Sequence, residues 1–265
     1  MAMEKKDVRD LLEEAELVLV GLGEDFDDVR TLNKSDEYKK GRTLLEEANL
    51  HWLIPVWMEY CRVRIGDDAV RKSLHKLATM LQDKNYFIVA TSTNRTITEI
   101  PWKSSRLVMP CGSTVKKQCA KGCSAELEKL TAEESERLYV AFEQLFRGEL
   151  PETGFPDLGR CKECNGDMIC NTIYAESYNE AGYLDEWQIY MKWLQGTLNR
   201  KLVILELGVG MRFPSIIRWP FEKVAFFNQK ASFYRINERL FHMTEELGAK
   251  GIGIAQNAID WINQL

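Results

Sequence analysis

Histidine is nearly missing from this chain. The 265 residues hold only His51, His75 and His242, and none falls in a motif that proton-transfer chemistry would use. No apolar run approaches the roughly 18 residues that a membrane-crossing helix needs, so no membrane partner is expected. Basic residues are not in excess either. Lys and Arg number 35 against 40 Asp and Glu, for a net charge of -5. That balance argues against nucleic acid as a partner, because neutralising phosphates takes clustered Lys and Arg. The N-terminal stretch turns charged after two lysines and shows no apolar core with a small-residue cleavage site, so a cytoplasmic location is expected. Repeats and low-complexity tracts are lacking too. What remains is ordinary globular composition, 45% apolar and 28% charged, in a chain long enough for a large domain with a small insert.

Cysteine is the informative residue that is present. Cys119-x3-Cys123 and Cys161-x2-Cys164 form two close pairs. Thiolates stay reduced in the cytosol, where such spacing reads as a metal site rather than as disulfides. Four sulfurs grouped two and two suit tetrahedral Zn²⁺. With four protein ligands the zinc would be structural, since no position is left open for a catalytic water. Of the other cysteines, Cys61 and Cys170 read as core or near-site residues, Cys170 with a possible contact to the zinc unit. Cys111 precedes a glycine and lies eight residues before the first pair.

Around these pairs the pattern alternates strands and helices. A helical face is read over 4–16, through Val8, Leu11, Leu12 and Ala15, followed by an apolar strand at 17–20 that meets Gly21-Leu22-Gly23. Helix, buried strand, glycine turn is how a nucleotide-binding α/β unit can begin. Helices rich in Leu, Trp and Met are read over 43–82, and strands at 86–91 and 106–109. Thr131 and Glu134 form a capping box ahead of the helix ERLYVAFEQLF. A further helix at 185–198 precedes the most strand-like run, Leu202–Leu207, which ends at Gly208-Val209-Gly210. A strand at 233–236 and a closing strand and helix over 252–265 complete the reading. A bare G-x-G is a weak motif, and a tight strand-to-loop turn explains it nearly as well as a nucleotide does. The aromatic segment 213–227 reads as core packing and the acidic run 126–136 as a solvated helix face. Alternation of this kind implies an α/β protein with a Rossmann-like, doubly wound parallel sheet and a small zinc-binding domain inserted. The expected division is 1–110 with 171–265 for the large domain and 111–170 for the small one.

The order of these pieces resembles the sirtuins, a family that joins a Rossmann-like NAD domain to a four-cysteine zinc unit. The likeness rests on DKNYFIVATSTNRT (83–96), CGSTVKKQCAKGC (111–123), RCKECNGDM (160–168) and above all KLVILELGVGMRFPSIIRWPFEKVAFFNQKASFYRIN (201–237). It is nearest to the bacterial, macrodomain-linked branch, whose members act as protein ADP-ribosyltransferases. The resemblance implies NAD or ADP-ribose as ligand and a protein as possible acceptor. It implies nucleotide contacts from Gly21, Gly23, Gly208 and Gly210, a ribose contact from Asn237, and a place beside the nicotinamide for Asn94.

This chain departs from the family at the reactive positions. After Gly23 comes the acidic run Glu24-Asp25-Phe26-Asp27-Asp28, which should repel a pyrophosphate, and Arg30 is displaced from the family's arginine. The Asn-x-Asp element reads Asn94-Arg95-Thr96, so its carboxylate is missing. Cys111 stands where most relatives have a histidine base and the macrodomain-linked branch has glutamine. Ile173 stands where that branch has arginine. Two functions follow as expectations: an NAD-dependent protein mono-ADP-ribosyltransferase, favoured over a deacylase, with Asn94 and Cys111 as its catalytic candidates; or a degenerate homologue that binds NAD, ADP-ribose or a protein without turnover.

Overall fold

The structure is a computed structural model that describes residues 10, 12, 14–66 and 68–265. Most of the helix read at 4–16, including Val8 and Leu11, lies outside the described residues. Leu12 and Ala15 are buried against the main sheet.

Six strands make that sheet, in the order β3-β2-β1-β7-β8-β9, and every neighbouring pair is parallel. The strands are β1 (Leu17–Leu22), β2 (Asn85–Ala90), β3 (Leu107–Val108), β7 (Leu202–Leu207), β8 (Ala231–Ile236) and β9 (Gly251–Ile254). Setting aside the three strands of the small sheet, this is the 3-2-1-4-5-6 order of dinucleotide-binding folds, with the order reversing between β1 and β7. All six residues of β1 and of β7 are buried, as covering both faces of a parallel sheet requires.

Side-chain alternation sends Val18, Val20 and Leu22 to one face and Leu17 and Leu19 to the other. The helices Ala69–Leu81 and Ala258–Gln264 cover the first face through Leu74, Leu77, Ile259 and Ile262. The helices Leu184–Gln195 and Arg218–Phe227 cover the second through Tyr190, Phe221 and Ala225.

A separate core supports the small antiparallel sheet, β5-β4-β6, made of β4 (Gly112–Cys119), β5 (Glu128–Lys129) and β6 (Met168–Thr172). It gathers residues from two distant stretches: Leu32 to Cys61, and Cys119 to Cys170. Thus the helices Asp36–Glu47 and Ile54–Ile65 pack with the helix Ala132–Phe146 rather than on the parallel sheet. Trp57 is the centre of this core. It is fully buried, its Nε1 donates to the Tyr38 carbonyl at 3.1 Å, and it stacks on Tyr60 and meets Phe142 edge-on. The capping box forms as read: Glu134 N donates to Thr131 Oγ1 at 3.2 Å and Thr131 N to Glu134 Oε2 at 2.8 Å. Glu134 also takes the buried Lys117 ammonium at 2.6 Å, which ties this helix to β4.

Candidate functional site

The zinc unit is built from two tight turns. β4 ends at Cys119, and Gly122 N bonds back to the Cys119 carbonyl at 3.0 Å, which presents Cys123 beside it. The second turn closes through Cys161 N to Gly166 O and Asn165 N to Cys161 O, both at 2.8 Å. Pairing of Cys119 with Met168, and of Ala120 N with Asp167 O at 2.9 Å, brings the turns together. The Sγ atoms then lie 3.4 Å apart for Cys119–Cys123 and 3.6 Å for Cys119–Cys164 and Cys123–Cys161. All four fall within 4.8 Å of one another. A tetrahedron of zinc–sulfur bonds near 2.3 Å has edges of roughly 3.8 Å, so the donor set fits zinc. Backbone donation from Cys123 lowers the Cys119 thiol, while hydrogen bonding to Cys164, Cys119 and Cys161 raises the Cys123 thiol; a metal takes both as thiolates. Cys170, buried on β6, belongs to the core beneath this unit.

At the strand-order reversal the two glycine turns lean on each other. Gly23 N donates to Leu207 O at 2.9 Å and Asp25 N to Gly208 O at 3.2 Å. A Cβ on Gly23 would lie 2.3 Å from the Gly208 carbonyl oxygen and from the Val209 Cα, so no side chain is possible there. Gly208 has φ +61°, a left-handed conformation that glycine adopts without strain, and its missing Cβ leaves room for Asp25. Gly21 is required by the start of the helix Arg218–Phe227, where Ile217 and Phe221 press on it.

The acidic run is not an open repulsive surface. Its carboxylates divide. Glu24 accepts from the Gly210 amide at 2.6 Å. Asp25 accepts from Ala258 N at 3.1 Å and from the Asn257 side chain at 3.2 Å. Asp27 turns inward, 5% exposed, and accepts from Ser92 Oγ at 2.7 Å and Thr93 N at 3.1 Å. Burial raises Asp25 and pushes Asp27 up to about 6, against the opposing pull of Ser92 and Arg62. Arg30, half exposed, pairs with Asp260 at 2.8 Å.

Asn94 fastens this run to the loop after β2. Its Nδ2 donates to the Phe26 carbonyl at 2.7 Å and its Oδ1 accepts from Thr96 N at 3.0 Å. The next support is Glu59, a buried carboxylate on the helix Ile54–Ile65. It accepts from Arg95 N at 3.2 Å and from the Thr114 hydroxyl on β4, so it joins the Asn94 loop to the small sheet.

Cys111 sits at the entry to β4, fully buried, with its carbonyl held by Ile173 N at 2.9 Å. Two positions that depart from the family pattern are therefore neighbours. Burial first, then the nearby Asp27 carboxylate, pushes the Cys111 thiol up to about 12, with Arg212 opposing. At neutral pH it is a buried, protonated thiol rather than a nucleophile.

Two cavities meet here. One, of about 340 Å³, is lined by Glu24, Asp25, Asp27, Arg30, Asn257 and others. The other, a cleft of about 1280 Å³, runs along the small unit past Trp52, Phe155, Ile169 and His51. Arg42, Tyr174 and Arg212 line both. Arg212 lies 4.4 Å above the Tyr174 ring and donates to its hydroxyl at 2.5 Å.

Behind the second glycine turn lies a buried ion network. Glu206 of β7, with no exposed side-chain surface, takes Arg235 Nε at 2.6 Å and Nη2 at 3.0 Å, with Arg218 at 3.3 Å. Arg218 and Asn237 both donate to the Val209 carbonyl, at 2.9 and 3.1 Å, and so hold the turn in place. Asn237 Oδ1 is also occupied, by Arg239 N and Leu240 N.

The structure thus brings Gly23, Gly208 and Asn237 together at the two glycine turns, ties Asn94 to the acidic run and puts Cys111 near Asp27. None of the expected nucleotide or catalytic residues lines either cavity. The four cysteines lie together as one cluster. Sequence reading missed Asp27, Glu59 and Arg212 as members of the site. Asp27 was visible only as part of a charge run, and nothing in the spacing of Glu59 or Arg212 marks them.

Over nearly its full length the chain is similar to a protein ADP-ribosyltransferase from Staphylococcus aureus, 22% identical over 269 residues that span 94% of this chain and 83% of that protein. No family model matches the chain. A mutant Sir2 homologue solved with ADP-ribose superposes with a TM-score of 0.58 at 10% identity, covering 98% of this chain and 94% of that one. A Sir2 complex with a p53 peptide and NAD+ superposes with a TM-score of 0.52 at 12% identity, covering 99% and 97%. Among the described residues no helix is long and apolar enough to cross a membrane. From the strand order through the inserted four-cysteine unit, this chain has the sirtuin fold.

Proposed function

We propose that this chain is an NAD-dependent protein ADP-ribosyltransferase of sirtuin type, with zinc as a structural ion at Cys119, Cys123, Cys161 and Cys164. The observation that carries the reading is the meeting of two cavities at Arg42, Tyr174 and Arg212, one of them lined by the acidic run after the first glycine turn, at the strand-order reversal where dinucleotides bind such sheets. The relative from Staphylococcus aureus bears that activity in its name along 94% of this chain. A structural neighbour holds ADP-ribose, and another holds a peptide with NAD+.

NAD fits as a substrate in this crevice. The smaller cavity has Arg30, Arg42 and Arg212 on its wall, and the cleft beyond has room for an acceptor. A nucleotide phosphate would compete with Glu24 for the Gly210 amide. Transfer breaks the bond between nicotinamide and ribose, with the electron pair leaving on nicotinamide while an acceptor atom bonds to the ribosyl carbon. Gly23 and Gly208 let the two turns close, Asn94 and Asn237 hold those turns, and Cys111 stays an uncharged thiol near Asp27. Positioning of this kind carries much of the rate in such transfers. Deacylation is disfavoured because His51, His75 and His242 are all exposed and none stands beside Cys111. The seven free cysteines suit a cytoplasmic location.

One observation favours a second reading, binding without turnover: Glu24 and Asp25 already hold the donors at the crevice. Incubation with NAD, following nicotinamide release beside calorimetric binding, separates the two. Release that requires the intact Asn94 supports the transferase. Saturable binding with no release supports the sensor.

A further inference from the structure

Within the proposed transferase, the acceptor's proton has no recipient among the groups that sequence motifs single out. The three histidines are exposed, and His51 alone touches the cleft, at its rim. Cys111 is a buried thiol beside a carboxylate. Asn94 has both ends of its amide engaged within the chain.

The carboxylate beside Cys111 is different. Asp27 lines the smaller cavity, and its Oδ1 is fixed by two donors from the loop after β2, Ser92 Oγ and Thr93 N. Its backbone carbonyl is held from the helix Ile54–Ile65 by Arg62 Nη1 at 2.9 Å. Such anchoring sets the side chain's direction before any ligand arrives, as a proton acceptor needs. The aromatic-lined cleft opens onto the same cavity past Arg42, Tyr174 and Arg212.

We propose that Asp27 is the general base of this site, taking the proton from an O–H or N–H of a protein acceptor that enters through the larger cleft. This rests on the transferase reading above. The acceptor heteroatom bonds to the ribosyl carbon as the bond to nicotinamide breaks. Nicotinamide leaves neutral with the electron pair, and the acceptor's proton passes to the Asp27 carboxylate and from there to water. The overall change is NAD+ and H–X–protein to ADP-ribosyl–X–protein, nicotinamide and H+.

The charged and titratable groups around Asp27 are Glu24, Asp25, Asp28 and Arg30 on its own segment. Arg62 faces it from the helix Ile54–Ile65, Arg42 from the helix Asp36–Glu47, Cys111 from the entry to β4, Tyr174 from the end of β6 and Arg212 from the turn after β7. Burial dominates, so the group titrates at about 6. A base must be ionised, so transfer should fall below that pH and level off above it.

The test is full-length protein with NAD and an acceptor, assayed for transfer across pH and for NAD binding by calorimetry. Asp27→Asn keeps an oxygen for Ser92 and Thr93 but removes the base. It should lower transfer by about 10²–10⁴-fold and abolish the acid limb, with NAD affinity held within about twofold. Ser92→Ala keeps the base and strips a donor from its ionised form, so the limb should move to higher pH. An Asp27→Asn protein that keeps transfer and limb overturns the proposal, as does an unmoved limb in Ser92→Ala. Loss of NAD binding in parallel with rate would assign Asp27 a structural role instead. Wild-type protein that neither releases nicotinamide nor transfers ADP-ribose overturns the transferase reading itself, and Asp27's role with it.

Discussion

In the cysteine corner every ligand atom comes from a turn whose members are near neighbours in sequence. In the crevice, Glu24, Asp25 and Asp27 of the acidic run each end on a donor from a distant part of the chain. Cys119 and Cys123 need only a short turn, and one antiparallel register brings in Cys161 and Cys164. Glu24, by contrast, meets Gly210 across 186 residues, and Asp25 meets Ala258 across 233. The first kind of site survives divergence as long as spacing survives. The second can lose a functional group at one position and regain its chemistry from another segment. Here Asp27 accepts from Thr93 N, three residues before Thr96, and Arg212 acts electrostatically on Cys111, whose carbonyl is held by Ile173 N.

Breaking the cysteine corner should have the largest effect and stay local. Structural zinc contributes on the order of 10 kcal/mol or more to folding of small zinc units. Cys161→Ser should therefore lose its zinc by metal analysis and expose the core around Trp57, with the tryptophan's near-ultraviolet dichroism collapsing. The parallel sheet has its own cores and should keep its secondary structure. A variant retaining a full equivalent of zinc would sink the ligand assignment.

A smaller loss is expected behind the crevice. Glu206→Ala leaves Arg235 and Arg218 buried without their shared partner. Removing one member of such a pair costs about 3–5 kcal/mol, read as a shift of the urea midpoint. A midpoint unchanged from wild type would show that the network contributes little to holding the second turn.

The smallest effect sharpens the comparison rather than breaking it. Glu24→Ala frees the Gly210 amide and removes a charge from the path of a phosphate. ADP-ribose should then bind about tenfold more tightly by calorimetry, the size of one charge-assisted hydrogen bond with a competing carboxylate removed. Weaker binding would mean that Glu24 serves the nucleotide rather than excluding it.

Much of the fold was legible because its signals are local. The run Leu202–Leu207 reads as a buried strand despite Glu206, Thr131 and Glu134 announce a helix start, and the cysteine spacing announces its own geometry. The family likeness assigned both glycine turns to a nucleotide, but the contact between the turns that explains Gly23 and Gly208 was not legible in either. The helical reading over 43–82 takes in Ile54–Ile65 but only the end of Asp36–Glu47, and the membership of both in the small core depends on contacts such as Trp57 with Phe142, a pairing no periodicity encodes. The acidic run was legible as charge and illegible as structure. Whether a carboxylate repels a ligand, caps an amide or accepts a proton depends on what the rest of the chain brings to it.

Nicotinamide release from NAD by the purified, zinc-loaded protein, measured across pH, tests the central claim most directly. The account predicts release matched by ADP-ribose on an acceptor protein, rising through about pH 6 as Asp27 ionises and level above it. Saturable NAD binding with no nicotinamide released at any pH would contradict it.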